Sequence, residues 1–464
     1  MKLDHEMITK AVSEVLNRMQ AGDGENNWGI FDDMNDAIEA ADAARLEYLG
    51  RTMAERAKYV QAIRDVVLKP ENLEYMSKAA ADETGIGAFE YKVAKNTLAA
   101  QKTPGVEDLT TDAMSGDDGL TLVEYSPYGV IGAITPTTNP TETIICNAIG
   151  MLAAGNAVVF SPHPRATNVS IFLIRIINQA LAQVGAPANL VVTVSKPSLE
   201  NTDIMMSHPK VRMLVATGGP GIVKKVLQSG KKAIGAGAGN PPVVVDETAD
   251  IEKAARDIID GCSLDNNVPC IAEKEVLAVD AIADRLIAEM RRNGAYLVTD
   301  QALLARMAEL VTQNGKGPKP EFVGKSARYI MEQLGVEVPA DTRVILLEAE
   351  EQNVFVQEEL LMPILPVVRV PDVDAAIDMA IRVEHGNRHT AIMHSRNVEK
   401  LTKMAKLIQT TIFVKNGPSY SGIGLGGMGY ATFTIAGPTG EGLTSPRSFA
   451  RRRRCVLVGG LSVR

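Results

Sequence analysis

The chain has 464 residues, 45% hydrophobic and 22% charged, enough for two or three domains with buried cores. Lys and Arg total 48 against 56 Asp and Glu, a net charge of −8 that argues against nucleic acid as the main partner. No apolar run reaches the roughly 20 residues of a membrane span, and the N-terminus, with Asp4 and Glu6 and no apolar core, is not a secretory signal.

The first nineteen residues place Ile8, Ala11, Val12, Val15, Leu16 and Met19 on one face of a predicted amphipathic helix. A Gly/Asn-rich linker, 20–28, follows. From about Ile30 to Thr103 the periodicity is helical, as in "MNDAIEAADAARLEYL" and "MAERAKYVQAIRDVVL". "GLTLVEYSP" then reads as a strand of an extended hairpin. From Tyr128 to Gly239 Val/Ile-rich strands alternate with helices: "GVIGAIT", a helix opened by Pro140, "NAVVFS", "NLVVTVS", "VRMLVAT" and "KKAIGAG". Such continuous apolar strands predict an α/β fold with a parallel sheet covered on both faces and ligands at its carboxyl edge. A second α/β set runs from about Asn240 to Gly426, and the tail from Arg447 ends in a strand. The run Arg451–Arg454 in that tail reads as a solvated or interface-facing edge.

The four cysteines, Cys146, Cys262, Cys270 and Cys455, show no CxxC spacing and no His/Cys cluster. That argues against a metal site and fits a reducing, cytoplasmic compartment. Cys270, in "DNNVPCIAEK", is the candidate nucleophile, because its flanks are polar and turn-forming where a core thiol would have apolar neighbours. A Pro-Cys step at a helix N-terminus would lower the thiol pKa. Asn139, immediately before Pro140, reads either as a helix cap or as an amide donor to an oxyanion. "ATGGPGIV" follows a strand and opens a helix, so the N–H groups around Gly218, Gly219, Gly221 and Ile222 could face a pyrophosphate. Gly422, Gly424 and Gly427 fit G-x-G-x-x-G, but no helical pattern follows, and the match is rejected.

The order TNP, GGPG, GAGAGNPP, PCIAEK, EELLMP, FVKNGPS, with stretches such as "TPGVEDLTT" and "TNPTETII", resembles the CoA-acylating aldehyde dehydrogenases of bacterial microcompartments, of the propionaldehyde dehydrogenase type. The resemblance runs from Gly29 to the C-terminus. It implies an aldehyde dehydrogenase-like fold: a Rossmann-like cofactor domain at 29–108 and 128–239, a catalytic domain at 240–446, and an oligomerisation flap at 109–127 and 447–464. It implies Cys270 as nucleophile, Asn139 as oxyanion donor, Thr217 with Gly218 and Gly219 as the cofactor loop, and Glu359 as the residue holding the nicotinamide ribose. Hydrolytic relatives carry a water-activating glutamate where this chain has Gly235 in "GAGAG", and a lysine where it has Ser161. The loss of the base fits acyl transfer to a thiol, which ionises more readily than water. Ser161, Pro162 and His163 are expected to line an adenosine pocket that could serve NAD and coenzyme A in turn, although His163 also reads as a plain surface histidine. The implied activity is NAD-dependent oxidation of a short aldehyde, propanal or ethanal, to acyl-CoA. A homo-oligomer, dimer or tetramer, is implied, and residues 1–19 resemble a peptide that docks on microcompartment shell proteins. A non-catalytic cargo protein and a hydrolytic dehydrogenase remain alternatives.

Overall fold

A computed structural model describes residues 27–463. The expected helix at 1–19, and the linker as far as residue 26, lie outside the described residues. The described residues open with a two-residue strand, β1 (Ile30–Phe31), and four helices: α1 (Met34–Tyr48), α2 (Met53–Val67), α3 (Pro70–Thr84) and α4 (Phe89–Lys102). Asp33 caps α1 through its carboxylate, and Thr52 with Glu55 forms a capping box on α2. A hairpin follows, β2 (Asp112–Gly116) and β3 (Gly119–Pro127).

The first large sheet continues with β4 (Val130–Thr135), α5 (Pro140–Ala153), β5 (Ala157–Pro162), α6 (Thr167–Gln183) and β6 (Val191–Val194). It is completed by α7 (Leu199–Ser207), β7 (Val211–Thr217), α8 (Pro220–Leu227) and β8 (Lys232–Ala236). Its order is β1-β6-β5-β4-β7-β8, with every pairing parallel. All residues of β4, β5 and β6 are buried, as their unbroken apolar runs require. α1 packs on β5 and β6, α5 on β4 and β5, and α8 on β7 and β8.

The second large sheet is also wholly parallel. Its strands are β9 (Pro242–Val245), β10 (Glu275–Val279), β11 (Ala295–Val298), β12 (Val344–Glu348), β13 (Ile364–Val370), β14 (Thr390–His394) and β15 (Ile412–Lys415), in the order β11-β12-β13-β10-β9-β14-β15. Helix α9 (Ile251–Ser263) leads towards the turn that carries Cys270. The last strand, β16 (Ala450–Val458), returns to pair antiparallel with β3.

The hairpin and β16 therefore form a separate three-stranded sheet, β2-β3-β16. Arg451–Arg454 all lie exposed on it. Arg452 pairs with Asp112 at 2.6 Å, and the Arg451 guanidinium stacks over Tyr128. The glycines at 422–427 precede bends and no helix, as their rejection as a dinucleotide motif requires. Among the described residues no helix is long and apolar enough to cross a membrane, and no cluster of three metal-ligating side chains occurs.

Candidate active site

The two large sheets meet end to end around one cavity of about 720 Å³. The first sheet contributes residues that follow its strands: Thr135–Asn139 after β4, Pro162–Pro164 at and beyond the end of β5, Gly218–Pro220 after β7 and Gly237–Ala238 after β8. The second contributes residues that precede its strands: Asn240 before β9, Val268–Ile271 before β10, Glu359 and Leu361 before β13, and His385 to His389 before β14. The carboxyl edge of one parallel sheet thus faces the amino edge of the other. The first-sheet half is where such folds take phosphorylated ligands.

Cys270 sits in the turn between α9 and β10, partly exposed on the cavity wall. Three successive residues before it, Asp265, Asn266 and Asn267, have φ of 49°, 55° and 66°. Left-handed backbone is costly for residues with a Cβ, and Asp and Asn tolerate it best. Each of the three side chains is also tied down. Asp265 Oδ1 accepts from the Ala88 N–H at 2.8 Å, and Asn266 Nδ2 donates to Gly324 O at 2.9 Å. Asn267 Nδ2 donates to Cys262 O and Glu273 O, while its Oδ1 accepts from Lys274 Nζ at 2.5 Å. "DNN" is therefore a pinned, strained turn that fixes where the sulfur sits. Gly239 allows the turn to come close, because a Cβ there would meet Cys270 O at 2.7 Å and His389 Cγ at 2.9 Å.

No helix begins at Cys270, so the expected depression of its pKa by a helix N-terminus is not found. Burial, followed by the Glu359 carboxylate, instead pushes the thiol up to about 12; Lys274, the cysteine's own N–H and Lys95 act the other way. Burial raises Glu359 to about 7 against Lys274 and the Gly239 N–H, which donates to Glu359 Oε1 at 3.2 Å. The two groups therefore titrate against each other. Glu359→Gln is expected to speed alkylation of Cys270 by iodoacetamide above neutrality, because a neutral neighbour no longer disfavours the thiolate. The gain should fade below about pH 7, where the native carboxyl is itself neutral. Equal alkylation rates in the two proteins across the alkaline range would contradict this coupling.

Asn139 precedes α5, as expected, but its side chain makes no cap bond. Its carbonyl end, Oδ1, accepts from Lys95 Nζ at 2.5 Å, and its amide end remains for the cavity, whose wall it forms. Asn139 thus holds the cap position through its backbone carbonyl, which accepts from the Thr143 N–H at 3.1 Å, while its side-chain amide end is left to donate into the cavity.

Thr217, Gly218, Gly219 and Ile222 line the cavity; Gly221 does not. The Gly218 N–H is already bonded to Ala236 O at 3.1 Å, and the Thr217 hydroxyl is paired with Thr434 at 2.8 Å. In the first turn of α8, Pro220 has no N–H and the Val223 N–H is bonded to Gly219 O, so those of Gly221 and Ile222 remain to face an anion. A Cβ at Gly219 would meet nothing within 4 Å, so a dinucleotide has room to approach the backbone there. Ser161, Pro162 and His163 line the same cavity. The Ser161 hydroxyl is shared with Thr202 at 2.8 Å, and His163 Nδ1 accepts from the Arg165 N–H at 3.1 Å. This donor set fits an adenosine and a pyrophosphate.

The position of the missing base needs correction. Gly235 lies within β8 and off the cavity wall, and a Cβ there would meet Val223 Cγ1 at 2.7 Å. The wall position with open space is Gly237, two residues on, where a Cβ would meet nothing within 4 Å. Either way this stretch presents no carboxylate.

Sequence reasoning did not single out His389, Lys274 or Lys95. His389 lines the cavity with Nε2 unpartnered, and burial together with Lys274 lowers its pKa to about 4, so the ring is neutral. A histidine before an apolar strand and a lysine four residues after a candidate cysteine were the available signals, and both are weak.

The sequence model of the aldehyde dehydrogenase family matches residues 9–318. The CoA-propanoylating propanal dehydrogenase of Salmonella typhimurium is 51% identical over 437 residues, covering 94% of this chain and 93% of its own length. A Rhodopseudomonas palustris propionaldehyde dehydrogenase, solved with bound CoA and an acylated cysteine, is 67% identical with a TM-score of 0.93, covering 94% of this chain and all of that one. The propionaldehyde dehydrogenase of the Clostridium phytofermentans fucose utilisation microcompartment is 53% identical with a TM-score of 0.92, again over 94% of this chain and 100% of that one. With the family model spanning more than half of its length and a half-identical relative spanning nearly all of it, this chain belongs to the aldehyde dehydrogenase family.

Proposed function

We propose that this chain oxidises a short aliphatic aldehyde, propanal or ethanal, to its CoA thioester with NAD+ as oxidant. The observation that carries the reading is one cavity lined by Cys270 and Asn139 together with Ser161, Pro162, His163 and the loop before α8, in which the Gly235–Gly239 stretch offers no carboxylate. Cys270, whose thiol pKa is pushed up to about 12, loses its proton to solvent and attacks the aldehyde carbon as the small thiolate fraction, and Asn139 Nδ2 with the Cys270 N–H takes the developing oxyanion. When bound, NAD+ supplies the hydride acceptor. Collapse of the oxyanion leaves an acyl thioester on the Cys270 sulfur. A second thiol, that of CoA, then takes the acyl group and releases the cysteine thiolate. Glu359, with its pKa near 7, is placed to receive the proton of the incoming thiol. Incubation with propanal and NAD+ should yield propanoyl-CoA when CoA is present; propanoate as the main product would overturn the reading.

The first sheet serves as the cofactor unit, the second as the catalytic unit, and the β2-β3-β16 sheet as the surface for a homo-oligomer, dimer or tetramer. Met114, Val456, Leu457 and Val458 lie exposed on that small sheet, an apolar surface suited to a second copy. The chain works in the cytoplasm inside a bacterial microcompartment, with the apolar stripe of residues 1–19 docking in a groove of a shell protein. Deleting residues 1–19 is expected to leave dehydrogenase activity near native, since among the described residues the cavity is lined only from Ile134 onward, and to abolish co-purification with shells. A truncated enzyme that still enters shells would contradict the docking role.

A further inference from the structure

Four ionisable side chains are buried together behind Asn139. Lys95 Nζ lies 2.6 Å from Asp265 Oδ2 and 2.9 Å from Glu142 Oε1, and Lys92 Nζ lies 3.2 Å from the same Asp265 oxygen. Burial works against the Lys95 ammonium, but Asp265 and Glu142 more than offset it and hold its pKa above the usual lysine value. Buried ion pairs of this kind stabilise a fold little compared with apolar packing. Stability is therefore a weak reason for the cluster.

Its bonds lead to the reacting groups. Lys95 Nζ donates to Asn139 Oδ1 at 2.5 Å, and Lys92 Nζ donates to Thr138 O at 2.8 Å. Asp265 opens the strained turn that carries Cys270. One cluster thus ties α4, the loop before α5 and the nucleophile turn together behind the cavity wall. The two ends of the Asn139 amide have opposite meanings for an oxyanion: Nδ2 donates to it and Oδ1 repels it. No cap bond to α5 decides between them, and Lys95, which can only donate, does. Lys95 itself is absent from the cavity wall.

We propose that Lys95 is a positioning residue for carbonyl activation: its ammonium takes Asn139 Oδ1 and so turns Nδ2 toward the aldehyde oxygen, while Asp265 and Glu142 hold the ammonium in place. This rests on the acyl-transfer reading above. The test is the pre-steady-state burst of NADH with propanal and NAD+, measured on the full chain as a double-mutant cycle. Asn139→Ala is expected to slow the burst by about 10²- to 10³-fold, the loss of one oxyanion donor. Lys95→Met should slow it by about 10- to 100-fold, because the donor stays present but loses its orientation. The double variant should be no slower than Asn139→Ala alone, since the group through which Lys95 acts is already gone. Losses that multiply would overturn the proposal, as would a native burst in Lys95→Met.

Lys95→Met also leaves Asp265 and Glu142 short of a cation, which can destabilise the fold. Lys95→Met/Glu142→Gln restores the balance of charge and is measured beside it. The same slow burst is expected there. A recovered burst would mean that charge balance, and not amide orientation, is what Lys95 supplies, and would also overturn the proposal. Failure of the acyl-transfer reading looks different, because the native enzyme would then form no NADH at all or would turn over steadily without CoA.

Discussion

Cys270→Ala is expected to lower aldehyde-dependent NADH formation by at least about four orders of magnitude, the scale seen when a covalent nucleophile is removed. No other cysteine can stand in. Cys262 is buried and held by Asn267, Cys146 is buried against Thr103, and Cys455 is exposed on β16, away from the cavity. NAD+ affinity should survive, because the first-sheet half of the cavity does not depend on the sulfur. Cys262→Ala should keep most of the native activity. Thermal melting separates chemistry from folding, since truncating a side chain that is partly exposed costs little stability. Loss of activity in Cys262→Ala with retention in Cys270→Ala would reverse the assignment.

Without CoA, native enzyme given propanal and NAD+ should release one equivalent of NADH per active site and then nearly stall. A general base typically contributes about 10²- to 10⁴-fold, so steady turnover without CoA should fall at least about a hundredfold below that with CoA. The structural reason is local. Gly235 packs on Val223 inside β8, and Gly237, the neighbour that opens on the cavity, has no side chain to activate water. Glu359 is a carboxylate that could do so, being on the same wall with its pKa raised to about 7. Sustained turnover without CoA that is lost in Glu359→Gln would therefore assign Glu359 as a water-activating base and favour hydrolysis.

The strands of both sheets were legible because parallel strands buried on both faces need unbroken Val/Ile runs, as in "VVFS" and "PPVVV". Asn139, Cys270 and the glycine loop before α8 could be named as candidates from their polar or glycine-rich flanks, but such turns are common, and it was the family resemblance that gave each its role. The end-to-end meeting of the two sheets could not be read, since nothing local specifies which edges face each other. For the same reason the pKa of Cys270 was misjudged: its main perturbing charge, Glu359, lies 89 residues away in sequence, and the proline before it begins no helix. Lys92 and Lys95 look like ordinary solvated lysines of α4. Only the fold brings Asp265 and Glu142 to them. The two-residue shift from Gly235 to Gly237 does not come from the pleat, since residues two apart share a face; β8 ends at Ala236, and Gly237 opens on the cavity because it lies beyond that end, which the glycine-rich sequence does not mark.

The most direct measurement is to quench native enzyme after the NADH burst, in the absence of CoA, and map the acyl group by peptide mass spectrometry. A propanoyl group on Cys270 that is discharged to propanoyl-CoA when CoA is added is the expected result. An unmodified Cys270, or an acyl group that leaves as propanoate at the same rate with and without CoA, would contradict acyl transfer through this cysteine.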